Sequence, residues 1–70
     1  MNRFSRIPRR SVIYVKDVML ITGKKLTAAR GLYNNIMKAL LKQPGQFLTV
    51  QEFSMYTGIE EEQIWQSLNS

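Results

Sequence analysis

Neither cysteine nor histidine occurs among these 70 residues. That removes disulfides, thiol chemistry and the usual zinc ligands. Long apolar runs are also missing, and nothing approaches the ~20 residues of a membrane-spanning helix. The basic start, Met1 to Arg10, is like that of a signal peptide. The apolar stretch after it, Val12 to Val15, is too short for one and lacks a small-residue cleavage site, so no membrane association and a cytoplasmic location are expected. Catalysis has little to build on. The one acid cluster, Glu60-Glu61-Glu62, lies within one helical turn with no base beside it, and no phosphate loop or nucleophile motif occurs. Neither an enzyme nor a cofactor is expected.

Acid is scarce in one half and base in the other. Residues 1–42 hold all ten Lys and Arg and a single acid, Asp17, for a net charge of +9; residues 43–70 hold four Glu and no base, for −4. A split of that size points to a polyanion partner on one face, with nucleic acid the commonest and anionic lipid second. The chain makes one small domain. At this length only roughly 60% of the unfolded surface is buried, so stability is marginal and help from a partner subunit is a reasonable expectation.

The organising stretch is Val15 to Lys42. Val15, Val18, Met19 and Ile21 recur at helical spacing, Asp17 places an acid in the first turn, and Gly23 supplies the backbone freedom of a sharp helix exit. A turn at Thr22–Lys25 leads to a long helix from about Leu26 to Lys42, with Ala29, Leu32, Tyr33, Ile36 and Leu40 on one apolar stripe. Thr27 is a candidate cap for it, and Lys42 suits its negative C-terminal end. Its outer side carries Thr27, Arg30, Gly31, Asn34, Asn35 and Lys38. A helix, a short glycine turn and a second helix with a basic, amide-rich face is how a helix-turn-helix reads in sequence.

Gly31 costs that helix about 1 kcal/mol relative to alanine. Close approach of a neighbouring helix is the preferred explanation, and close approach of a phosphate the other. Before this unit, residues 1–11 read as a flexible basic arm, and Val12–Val15 as an extended lead-in or a short strand pairing with Phe47-Leu48. Pro44-Gly45 stops the long helix. Thr49 and Glu52 form a capping box for a helix over Val50–Thr57, closed by Gly58. A fourth helix runs from about Glu60 to Leu68. Phe53, Tyr56 and Ile64 are expected in the core, with Trp65 at its edge as the best anchor for a homodimer or protein partner. The second half repeats the first at an offset of 35, pairing Val15 with Val50, Asp17 with Glu52, Thr22 with Thr57 and Gly23 with Gly58.

Charge separates the two units. Glu60-Glu61-Glu62 would repel phosphate at the head of the second unit's last helix, whereas the first offers Lys24, Lys25, Arg30 and Lys38. The first unit is therefore the candidate for duplex DNA. Thr27, Arg30 and Asn34 are the base-reading candidates, since Arg pairs bidentately with guanine and Asn with adenine. Lys24, Lys25, Lys38 and the arm residues Arg6, Arg9 and Arg10 are the phosphate candidates. The competing reading is a protein-interaction module, dimeric and without DNA contact, whose basic half solubilises the chain or meets an acidic partner.

The run Tyr14-Val15-Lys16-Asp17-Val18-Met19-Leu20-Ile21-Thr22-Gly23-Lys24, followed by Thr27-Ala28-Ala29-Arg30, resembles the small bacterial helix-turn-helix proteins of excisionase and MerR type. That resemblance covers about residues 12–68. It implies an all-α, four-helix DNA-binding domain over 12–70 behind the arm. The implied role is an architectural factor in recombination of mobile elements or a regulator of transcription. It implies a recognition helix over Leu26–Leu41, with Lys25, Thr27, Ala28 and Arg30 at its DNA-facing start. The chain departs from the family pattern at Lys25, where Ser or Thr is usual, at Met19, where Ala is usual, and at Gly31, where a second arginine is usual. Residues 43–48 are also too few for a wing hairpin.

Overall fold

A computed structural model describes residues 12–69. In chain order these form β1 (Val12–Ile13), α1 (Val15–Thr22), α2 (Leu26–Ala39), β2 (Leu48–Thr49), α3 (Val50–Thr57) and α4 (Glu61–Leu68). The architecture is mostly helical, four helices and one two-stranded sheet among the described residues. The expected basic arm lies outside them.

The repeat is structural as well as sequential. α1 and α3 begin and end 35 residues apart, and so do the first residues of α2 and α4. Local hydrogen bonds follow the same offset. Asp17 Oδ2 accepts from the Tyr14 N–H at 2.8 Å, and Glu52 Oε1 from the Thr49 N–H at 3.0 Å. Thr22 Oγ1 donates to the Val18 carbonyl at 2.6 Å, and Thr57 Oγ1 to the Phe53 carbonyl at 2.8 Å. Gly23 and Gly58 close the two helices at φ 77° and 81°, the left-handed conformation that glycine adopts without a Cβ penalty. Only the second unit completes its capping box: Thr49 Oγ1 accepts from the Glu52 N–H at 3.1 Å. Tyr14, the poor cap its side chain suggests, makes no such bond.

The strands pair antiparallel, Val12 with Thr49 and Ile13 with Leu48. Ile13 and Leu48 are themselves 35 apart, so a residue faces its own equivalent across the ladder. That is the arrangement a local two-fold axis produces. One step outward, the rings of Tyr14 and Phe47 meet edge to face, their centroids 6.2 Å apart, which adds an aromatic contact to the ladder.

The core lies where the two units meet. Ile13, Val18, Ala29, Ile36, Leu48, Val50, Phe53 and Ile64 are sealed from solvent, with Val15, Met19, Leu32, Tyr33, Met37, Trp65 and Leu68 packed around them. α1 packs on α2 and α4, and α3 on α4 and both strands. Asp17 is also buried; the Tyr14 N–H on its carboxylate is the kind of partner a buried acid requires.

Four details differ from expectation. α2 ends at Ala39 rather than Lys42, because Leu41 turns to φ 57°. The Leu41 N–H then donates to Lys38 O at 3.0 Å and the Lys42 N–H to Met37 O at 2.9 Å, a Schellman closure made by a leucine. Lys42, past the helix end, instead pairs with Glu52 Oε2 at 2.9 Å. That hydrogen bond, with the Thr49 N–H behind it, holds the Glu52 carboxyl below its ordinary value. Leu40 and Tyr56, expected in the core, are exposed, the former lifted off by the early helix end.

Candidate nucleic-acid interface

α2 has its apolar stripe on the core, and helical periodicity turns the opposite side outward. Thr27, Arg30, Gly31, Asn34, Asn35 and Lys38 are all exposed, as are Lys24 and Lys25 in the turn that precedes the helix. Arg30, Asn34 and Lys38 follow at intervals of four residues and so span about 12 Å along one side. The structure thus brings six of the nine candidates, Thr27, Arg30, Asn34, Lys24, Lys25 and Lys38, onto one helix and its entry turn. Arg6, Arg9 and Arg10 lie outside the described residues.

The head of α2 has an unusual charge. A helix N-terminus carries partial positive charge and favours acids in its first turn. α1 has Asp17 there, α3 has Glu52, and α4 has Glu61 and Glu62. α2 has no acid in its first turn, its N-cap residue is Lys25, and no side chain caps it. Thr27, expected to cap, lies inside the helix at its second position. Lys24 and Lys25 therefore add positive charge to an end that is already positive. At the equivalent places of the second unit stand Ile59 and Glu60, and the glutamates there suit the dipole. Helix stability accounts for the acids of α4 and leaves the lysines of α2 unexplained.

Further along α2, a shallow cleft of about 340 Å³ opens against the segment at 42–44. Asn34, Lys38 and Lys42 rim it, and the half-buried Tyr33 and Met37 form its apolar side. Sequence reasoning placed Tyr33 in the core and did not find this cleft, because its far wall exists only after the Leu41 turn folds residues 42–44 back.

Gly31 corrects an expectation. A Cβ built there would meet no atom within 4 Å among the described residues, so none of the four described helices presses on it. Trp65 is half-buried and packed on the core. In the second unit Met55, 77% exposed, and Tyr56 are exposed apolar side chains; the first unit shows Leu20 at the place equivalent to Met55.

Among the described residues no group of three or more His, Cys, Asp or Glu could hold a metal ion, and no helix is long and apolar enough to cross a membrane. No protein-family model matches the chain, and neither a curated protein nor a solved structure matches it.

Proposed function

We propose that this chain binds duplex DNA, with α1, the Gly23 turn and α2 acting as a helix-turn-helix and α2 as the element that enters the major groove. The carrying observation is the pair Lys24-Lys25 at the uncapped N-terminus of α2. Cations at that end repel the helix dipole, and an arriving phosphate relieves the repulsion and ligates free N–H groups of the first turn. Lys38 and the arginines Arg6, Arg9 and Arg10 extend the phosphate contacts. Thr27, Arg30 and Asn34 reach base edges, Arg30 suited to guanine and Asn34 to adenine. The role is non-enzymatic, that of an architectural factor of excisionase type or a transcriptional regulator. The second unit supports the first through the strand pair and the common core.

A second reading is favoured by one observation, the exposure of Met55 and Tyr56 on α3 and of Leu20 on α1. Large apolar side chains left in water suit a protein-interaction module that meets its partner through the second unit.

Fluorescence anisotropy with random duplex at ~50 and ~200 mM salt tests the DNA reading. With about six phosphates engaged, affinity drops ~10³-fold over that range. Arg30→Ala/Asn34→Ala weakens binding further, since both groups lie on the contacting side. Wild-type affinity in the double variant removes α2 as the DNA element. Absence of binding at low salt ends the DNA reading and leaves the protein-interaction module.

A further inference from the structure

α2 carries a glycine at its sixth position, in the middle of the helix and on its solvent side. Three ordinary reasons for a mid-helix glycine are missing. The backbone there is not left-handed, the helix neither ends nor begins nearby, and a Cβ would meet open space among the described residues. What remains is something outside the described residues that comes close to the helix backbone.

Residues three and four positions away are the neighbours of Gly31 on the helix surface. They are Thr27, Ala28, Asn34 and Asn35, all exposed, uncharged and free of bulky apolar groups. Arg30 adjoins, and Lys38 lies farther along the same side. The result is a low place in a basic, amide-rich surface. Two copies of this chain meeting there would set Arg30 and Lys38 against their own counterparts, and the neighbours of Gly31 offer no apolar side chain larger than Ala28 to offset that. A polyanion meets no such repulsion.

We propose that Gly31 is the point of closest approach between α2 and bound DNA. Its missing side chain lets the helix backbone seat against the duplex, so that Thr27, Arg30 and Asn34 reach base edges together. This rests on the DNA reading above and adds to it a residue that makes no polar contact and works by leaving room.

The test uses a duplex enriched from a random library by the wild-type protein, with thermal melting beside anisotropy. Gly31→Ala replaces a poor helix former with the best one at an open site, so the free protein melts roughly 4–8 °C higher. The same methyl group holds the helix off the duplex, and affinity falls about tenfold, the scale of one lost base contact. Gly31→Arg adds a cation to a surface that binds a polyanion; close approach predicts that it weakens binding all the same. Opposite signs in stability and affinity support the proposal. Gly31→Ala or Gly31→Arg binding as well as wild type, while Arg30→Ala binds more weakly, overturns it and leaves the DNA reading standing. A wild type that enriches no duplex overturns both. If Gly31→Ala instead converts a wild-type dimer to monomer in sedimentation with DNA affinity unchanged, the close neighbour is a second copy and the proposal is overturned.

Discussion

Leu41→Gly should stabilise the protein, although it deletes a whole apolar side chain. Leu41 holds φ 57° to close α2, and no other described non-glycine residue has a positive φ. For an L residue with a Cβ the left-handed conformation costs about 1–2 kcal/mol. Its side chain is 82% exposed, so removing it forfeits almost no burial. Glycine relieves the strain but gives the unfolded chain more freedom, which returns about 0.5–1 kcal/mol. The net gain is about 0.5–1 kcal/mol, a rise of roughly 2–8 °C in melting temperature for a domain of this size. Urea unfolding followed by far-ultraviolet circular dichroism should show a higher midpoint at unchanged slope, because the surface exposed on unfolding barely changes. Leu41→Ala is the control: it keeps the Cβ and the strain, so it stays within about 0.5 kcal/mol of wild type. If Leu41→Gly melts no higher than Leu41→Ala, strain at this closure is not what limits stability and the argument fails.

Two further outcomes follow from the join between the units. Lys42 and the Thr49 N–H hold Glu52 below its ordinary value of 4.5, so its contribution to stability is present above that value and is lost as pH falls through the depressed one. Glu52→Gln should therefore lower the urea midpoint at neutral pH, with the gap to wild type closing progressively on acidification below about 4.5; a gap independent of pH would refute the assignment. Phe53 is the largest fully buried side chain among the described residues, and Phe53→Ala should cost about 3–5 kcal/mol. In so small a domain that consumes most of the available stability. Calorimetry should show the cooperative transition weakened or lost at room temperature, and a transition within a few degrees of wild type would contradict the core described here.

Much of the fold was readable from periodicity and punctuation. α1 and α3 lie where the apolar spacing and the glycines placed them, and Thr49 caps with Glu52 as its residue type requires. The end of α2 was not readable. Pro44-Gly45 is a visible stop, whereas Leu41 is neither Gly nor Asn and carries no sign of a left-handed closure, so the helix reads three residues too long. What that turn sets was hidden with it: the exposure of Leu40, the Lys42–Glu52 pair and the cleft beside Asn34. The strand pair stood as one of two alternatives, because a two-residue ladder between segments 35 apart depends on non-local packing. Tyr56 shows the limit of an apolar inventory; aromatic character alone does not say which side of a helix meets the core. The exposed side of α2 was legible because a 3.6-residue period assigns sides without any tertiary knowledge. The open space over Gly31 needed coordinates, since packing and ligand approach leave the same residue in the sequence.

The pairing of Ile13 with Leu48 has a consequence for how charge can be distributed. In a symmetric homodimer the contact is isologous: a residue on the axis faces its own copy, and every charge placed on one protomer is duplicated on the other. Here the two halves are covalent neighbours with separate sequences. The axial contact can be filled by two differently branched side chains, and Lys25 can stand opposite in sign to Glu60 at the same place in the repeat. The strand pair keeps the geometry of a two-fold contact while the halves it joins are free to differ in charge, one cationic and the other anionic. That is an asymmetry no isologous dimer of either half could possess.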